Sequence, residues 1–317
     1  MLRIVGRVLI GLLVVLVGLG VILWRAPIWV EETLTRFQLL GGGIHSRFTV
    51  IDGYSVHYLE GGAGQPVVLL HGLGSQAQRD WSKLAPYLVN AGFHVYAIDL
   101  FGFGQSAKPS DHSYSIPEQA KLVESFLDDN HLAAVTLGGF SMGGWIASTV
   151  ALDQPQRVSR LLLFDSAGMS FKLSFDPGLF TPQTSQQVDQ FMALVGEPRP
   201  MPEFVKKDFI RMMNRNAWVV QRVWASMARG SDFLDQRFSA LKMPMLIVWG
   251  RQDKLTPLFL GDWMHSAAPQ SVLAVYDGCG HMAVATCGDQ IAPAVVGFLS
   301  GVGPQPGQVI AFPARTR

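Results

Sequence analysis

From Arg47 onward the chain alternates short apolar runs with longer amphipathic stretches. Phe48–Ile51 and Val56–Leu59 flank Asp52-Gly53, a dipeptide that favours the two-residue turn of a β-hairpin. Further runs at Val67–Leu70, Val95–Ile98, Val135–Leu137, Leu161–Phe164, Met245–Trp249 and Val272–Tyr276 are continuous and rich in β-formers. That is the pattern of strands buried on both faces. Helices are predicted between them, over Trp81–Val89, Pro117–Asp129, Met142–Asp153 and Leu258–Ala267, with a last one near Gln290–Leu299. A hairpin followed by β-α repeats predicts an α/β fold with a mostly parallel sheet, expected over residues 45–300.

Two segments depart from that rhythm. Residues 168–240 show no strand pattern but hold Phe171, Phe175, Phe180, Trp218 and Trp224, which predicts a helical cap insertion. Some of these side chains are candidates to line a lipophilic pocket. Residues 301–317, with Pro304, Pro306, Gly307 and Pro313, are expected to form a loose, disordered tail.

The amino-terminal end differs again. Arg3 and Arg7 precede an apolar run from Val8 to Trp24, closed by Arg25. Its 17 residues span about 26 Å as a helix, enough for a thin bilayer. Trp24 and Trp29 stand where an interfacial aromatic belt belongs. No small-x-small cleavage pattern follows, and Ala26 is followed by Pro27. An uncleaved single-pass membrane anchor over residues 1–30 is therefore expected, rather than a signal peptide. Arg3 and Arg7 favour a cytoplasmic amino terminus, which places the main domain outside the cytoplasm, in the periplasm of a bacterium; Arg25 and Arg36 weaken the contrast.

Composition narrows the function classes. Of the 317 residues, 49% are hydrophobic and 15% charged, which excludes a disordered chain. With 25 basic and 24 acidic residues there is no basic field for nucleic acid. Two cysteines cannot staple a chain of this size, so a buried core must hold it. Cys279 and Cys287 flank His281, and an oxidising compartment would allow a disulfide. A loop residue and a helical residue need not face each other, however, so two unpaired thiols are the expectation.

Four pieces carry chemistry. Gly139-Phe-Ser141-Met-Gly143 is a G-x-S-x-G pentapeptide between a predicted strand and a predicted helix. Small residues on either side permit a turn sharp enough to present the serine, and the helix start favours an anion beside it. His71-Gly-Leu73-Gly74 follows the strand at Val67, and the backbone N–H groups of Leu73 and Met142 are candidates for an oxyanion hole. His71 itself is expected to be structural. Asp253 and His281 each follow a predicted strand. A serine needs a base, and the base an orienting acid, so Ser141, His281 and Asp253 are the candidate catalytic residues. Their chain order is that of hydrolases carrying a nucleophile elbow. Asp165 also ends a strand and is the rival acid. Gly102-Phe-Gly104-Gln-Ser-Ala107 mimics a dinucleotide turn, but Lys108-Pro109 blocks the helix that would meet the phosphates. The turn and Asp99 are expected to be scaffold. The histidines lack metal-ligand spacing, so no metal and no cofactor is expected.

With these motifs, the chain from about Val50 to Leu299 resembles the α/β-hydrolase superfamily. The marks are HGLG at 71–74, Asp99-Leu-Phe-Gly-Phe-Gly-Gln-Ser106, GFSMGG at 139–144, Asp253 and His281. The anchor and Ser141-Met-Gly-Gly144 look like the membrane-anchored monoacylglycerol lipases, bacterial lipases and carboxylesterases of that superfamily. The resemblance implies an eight-stranded sheet, a cap between the sixth and seventh strands, and hydrolysis of carboxylic esters. Haloalkane dehalogenases and epoxide hydrolases carry Asp where Ser141 stands. Cofactor-free haloperoxidases usually carry Pro where Gly74 stands. The C–C hydrolases of aromatic ring cleavage usually carry Trp where Met282 stands, which counts against them without excluding them.

The expected activity is a serine lipase or esterase acting on lipophilic acyl esters, among them monoglycerides, drawn from the membrane. The alternatives are a C–C bond hydrolase or acyltransferase on the same three residues, and a membrane-tethered ligand-binding protein on a hydrolase scaffold.

Overall fold

The computed structural model describes residues 2–198 and 200–314, and the side chains of all of these except residues 2–11 and 19. The side chains of Arg3 and Arg7 thus lie outside the described residues.

Helices α1 (Leu2–Arg25) and α2 (Pro27–Gly41) precede strands β1 (Ile44–Ile51) and β2 (Tyr54–Gly61). Then follow β3 (Pro66–Leu70), α3 (Ala77–Trp81), α4 (Ala85–Asn90), β4 (His94–Ile98), α5 (Ile116–Asp129), β5 (Val135–Phe140), α6 (Met142–Asp153) and β6 (Val158–Phe164). The insertion carries α7 (Ser185–Leu194), α8 (Glu203–Asn214) and α9 (Ala217–Met227). The chain returns through β7 (Met245–Gly250), α10 (Phe259–Ala267), β8 (Ser271–Tyr276), α11 (Ala283–Thr286), α12 (Gly288–Ser300) and β9 (Val309–Phe312).

The described strands form one sheet in the order β1-β2-β4-β3-β5-β6-β7-β8-β9. Strands β1, β2 and β4 pair antiparallel, and every later pairing is parallel. The hairpin turns as its sequence predicts, with Asp52 and Gly53 both at positive φ. β5, β7 and β8 are buried at every position, which explains their unbroken apolar runs. Each fully buried Val, Leu or Ile among them contributes about 1.5–3 kcal/mol.

Three expectations need correction. The sheet has nine strands, not eight: Val309–Phe312, within the stretch expected to be a loose tail, pairs parallel with β8, and Phe312 stacks on Tyr276 at 4.5 Å. The apolar Val-Ile-Ala-Phe run covers an edge that would otherwise stand open. The helix expected over Trp81–Val89 is two, α3 and α4, with Pro86 in the first turn of the second.

The expected anchor over residues 1–30 is also two helices. Pro27 opens α2 and restricts Ala26, whose extended φ of −143° ends α1. Among the described residues no single helix is long and apolar enough to cross a membrane. Leu12–Arg25 and Pro27–Gly41 meet that test only together, bent by 103°. Instead of ending near residue 30, α2 runs on against the folded domain. The Ile28 N–H donates to Asp208 of α8 at 3.0 Å, Gln76 donates to the Glu32 carboxylate at 2.8 Å, and Arg79 pairs with it.

Candidate active site

Ser141 stands between β5 and α6 with φ 53° and ψ −119°, a conformation a serine holds only where its surroundings impose it. The flanking glycines make it possible. A Cβ on Gly139 would fall 2.1 Å from the Gly143 carbonyl oxygen, and one on Gly143 would fall 2.2 Å from that of Leu70. The Ser141 N–H donates to the Phe164 carbonyl, and its own carbonyl accepts from Ala167, pinning the elbow to β6.

Asp253 follows β7 in a tight turn. Its Oδ1 accepts the N–H groups of Leu255 and Thr256 at 2.8 and 2.9 Å, and its Oδ2 accepts the Thr256 hydroxyl at 2.7 Å. His281 follows β8, where its N–H donates 2.7 Å to the Val195 carbonyl, beyond the end of α7. The cap therefore helps to place the imidazole.

The structure brings the three sequence-predicted residues together. His281 Nδ1 lies 2.8 Å from Asp253 Oδ2, and Nε2 lies 3.0 Å from Ser141 Oγ. All three are buried: Ser141 is 8% exposed, Asp253 5% and His281 4%. Asp253 can only accept, so Nδ1 carries the proton and Nε2 is the acceptor facing the serine hydroxyl. This arrangement can deprotonate Ser141 as it attacks. Met142 is the first residue of α6, where N–H groups have no partner within the helix. Leu73 borders Ser141 from the other side, lining the same cavities.

Two cavities meet at Ser141. The larger, about 510 Å³, runs beneath the cap and is lined by Trp145, Met169, Phe175, Phe180, Trp224 and Met227 among others, with no charged side chain. The smaller, about 80 Å³, includes His281, Ser75, Arg79 and Asp80.

The other singled-out residues do not join this trio. His71 donates from Nδ1 to the Gly72 carbonyl and accepts the Leu100 N–H at Nε2. Asp99 accepts from Ala77, Gln105 and His57, and Gly104 is required because a Cβ there would overlap the Asp99 carboxylate. The dinucleotide-like turn thus wraps a side chain of its own chain. Asp165 does not reach His281. Its Oδ1 accepts the Gly250 N–H at 2.7 Å, and Oδ2 has no hydrogen-bond partner among the described residues. Burial, and then repulsion from Asp253, hold its carboxyl well above the ordinary aspartate value. Among the described residues no cluster of three or more His, Cys, Asp or Glu could hold a metal.

Two features escape sequence reasoning. Cys279 and Cys287 are disulfide-bonded, against the expectation of free thiols, because the loop after β8 turns back onto the residue between α11 and α12. Thr256 Oγ1 touches both Asp253 and His281 Nδ1, the latter at 3.0 Å. The available signal was Thr three residues after Asp, a spacing that lets hydroxyl and N–H both return to the carboxylate.

The family model for the α/β hydrolase fold matches residues 65–222, which contain the elbow and the 71–74 loop. The chain belongs to the α/β-hydrolase superfamily. This hydrolase is 28% identical over 264 residues to a 2-hydroxy-6-oxononadienedioate/2-hydroxy-6-oxononatrienedioate hydrolase of Cupriavidus pinatubonensis, covering 75% of this chain and 89% of that one. It is 26% identical to Lipase 1 of Psychrobacter immobilis, covering 80% and 83%. A crystal structure of a membrane phospholipase A, a bacterial virulence factor, shares its fold with a TM-score of 0.78 at 24% identity, covering 94% of this chain and 99% of that one.

Proposed function

We propose that this hydrolase cleaves carboxylic esters of lipophilic acyl groups. Ser141 attacks the ester carbonyl while His281 takes its proton, and Asp253 orients the imidazole and stabilises its charged form. The N–H groups of Leu73 and Met142 receive the developing oxyanion, each such donor being worth about 2.7–4 kcal/mol of barrier. His281 then protonates the leaving alcohol, and water releases the acyl group.

The observation that carries the reading is the uncharged cavity of about 510 Å³ at Ser141. Apolar chains gain by entering it; a carboxylate entering it finds no cation. The second reading, C–C bond hydrolysis, is favoured by relatives whose named substrates are dienoic or dienedioic acids. Such acids are anionic at neutral pH. Arg79, which lines the smaller cavity, is already paired with Glu32. The test is hydrolysis of p-nitrophenyl esters beside a 2-hydroxy-6-oxo-dienoic acid, with Ser141→Ala as control. Serine-dependent ester turnover exceeding that of the dienoic acid is expected. The reverse preference, or full ester activity in Ser141→Ala, overturns the reading.

We further propose that α1 attaches the enzyme to a membrane with its domain outside the cytoplasm. Support comes from the exposed side chains of Leu12 to Val17, Leu23, Trp24 and Trp29. The disulfide suits an oxidising compartment. Retention of the full chain in the membrane fraction after a high-salt wash, with protease reaching the domain only from the extracytoplasmic side, is the expected result. A salt-extractable protein refutes it.

A further inference from the structure

A second serine–histidine–aspartate relay lies outside the active site. Ser46 Oγ lies 2.6 Å from His57 Nε2, and His57 Nδ1 lies 2.7 Å from Asp99 Oδ2. The connectivity is that of Ser141, His281 and Asp253: hydroxyl to Nε2, carboxylate to Nδ1.

The sheet register explains the juxtaposition. Phe48 of β1 pairs with His57 of β2, and Ser46, two residues earlier, points to the same face. Asp99 directly follows β4 and accepts only, so His57 Nδ1 carries the proton and Nε2 is left to accept from Ser46. Burial raises the Asp99 carboxyl, but the bond from His57, the nearby His71 and the N–H of Gln105 together bring it below the ordinary value. His57 and Asp99 are 2% and 1% exposed, whereas Ser46 is exposed. A buried imidazole–carboxylate pair therefore faces a hydroxyl that solvent-borne reagents can reach. The Gln105 amide Nε2, 3.2 Å from His57 Nε2, is a donor at the same spot. Phe48, exposed and packed against the His57 ring, offers an apolar surface beside it.

We propose that Ser46 is a second nucleophilic hydroxyl, which accepts acyl groups from activated esters. Ser46 Oγ attacks the donor carbonyl carbon and its proton passes to His57 Nε2. The bond to the leaving alkoxide breaks, the alkoxide takes the proton from His57, and the acyl group stays as an ester on Ser46. Neither of the two cavities that meet at Ser141 includes Ser46, so acylation there is stoichiometric rather than a second turnover cycle. The proposal is independent of the role given to Ser141.

The test uses an alkyl fluorophosphonate on the full chain in detergent, where attack by serine forms the O–P bond and expels fluoride. Intact mass and peptide mapping are read for wild type, Ser141→Ala and Ser141→Ala with Ser46→Ala. The expected result is one phosphonyl group on Ser46 in Ser141→Ala, absent in the double variant. Ser46→Ala alone keeps full ester turnover, since Ser46 is exposed on a strand remote from Ser141. Two results overturn the proposal. One is an unmodified Ser46 in Ser141→Ala under exposure that saturates Ser141 in wild type. The other is modification spread equally over other exposed serines such as Ser110.

Discussion

Replacing Thr256 by valine keeps the shape of the side chain and removes one hydroxyl. That hydroxyl lies 2.7 Å from Asp253 Oδ2 and 3.0 Å from His281 Nδ1, so it braces both members of the pair that must orient the base. Two backbone donors remain on Asp253 Oδ1, so the carboxylate keeps its place but its Oδ2 is left with His281 alone. A hydrogen bond to a charged group is worth about 1.5–3 kcal/mol. Lost wholly from the transition state, that is a fall in kcat of about 10- to 150-fold. The assay is kcat and KM for a soluble p-nitrophenyl ester from pH 5 to 9, for wild type, Thr256→Val and Thr256→Ser. Serine restores the hydroxyl and is expected to recover most of kcat. A folded valine variant with kcat within twofold of wild type, or a serine variant as impaired as valine, refutes the positioning role.

Three further outcomes are expected. Each methylene that enters the cavity beneath the cap should raise kcat/KM by about fourfold, the equivalent of about 0.8 kcal/mol, from acetate until the cavity fills; a series that declines from acetate contradicts the acyl assignment. Asp165 holds its proton in the fold to higher pH than an unfolded aspartate, so the folded state binds more protons in that interval and stability falls as pH rises through it, by up to about 1.4 kcal/mol per unit. Asp165→Asn should remove that slope, and melting curves from pH 4 to 8 that stay parallel to wild type would count against it. Cys279→Ala with Cys287→Ala opens a short loop closed across eight positions, an expected cost of about 2.5 kcal/mol read by urea unfolding; an unchanged midpoint says the loop is held by other contacts.

Much of this was legible from the residues because the sheet is buried on both faces. β5, β7 and β8 are buried at every position and β6 is buried over its last four, so their runs are largely apolar, and such runs survive any ambiguity about what packs on them. The elbow was legible for a steric reason, since only glycine fits at 139 and 143. What was hidden depends on contacts between distant segments. β9 is four residues amid Pro and Gly, and only the exposed edge of β8 makes it a strand. The disulfide depends on where a loop turns, and α2 extends beyond residue 30 because Asp208 and Arg79, far along the chain, meet it. Thr256 was in plain view, but a hydroxyl draws notice only once the carboxylate and imidazole it touches are in place.

The seating of α2 changes where a solubilised enzyme should begin. A cut after residue 30, natural if the anchor were one straight helix, would remove the Ile28 N–H from Asp208 and leave that buried carboxylate with one partner fewer, Arg211. It would also put the new terminus at Glu31, directly before Glu32, whose carboxylate and carbonyl hold Gln76, Gln78 and Arg79 beside the 71–74 loop. A chain starting at Ala26 discards the apolar helix and keeps the strut, with Pro27 ready to start the first turn. Preparations made the two ways should therefore differ in stability although only a few residues separate them, and a poorly behaved truncation would reflect the cut rather than the enzyme.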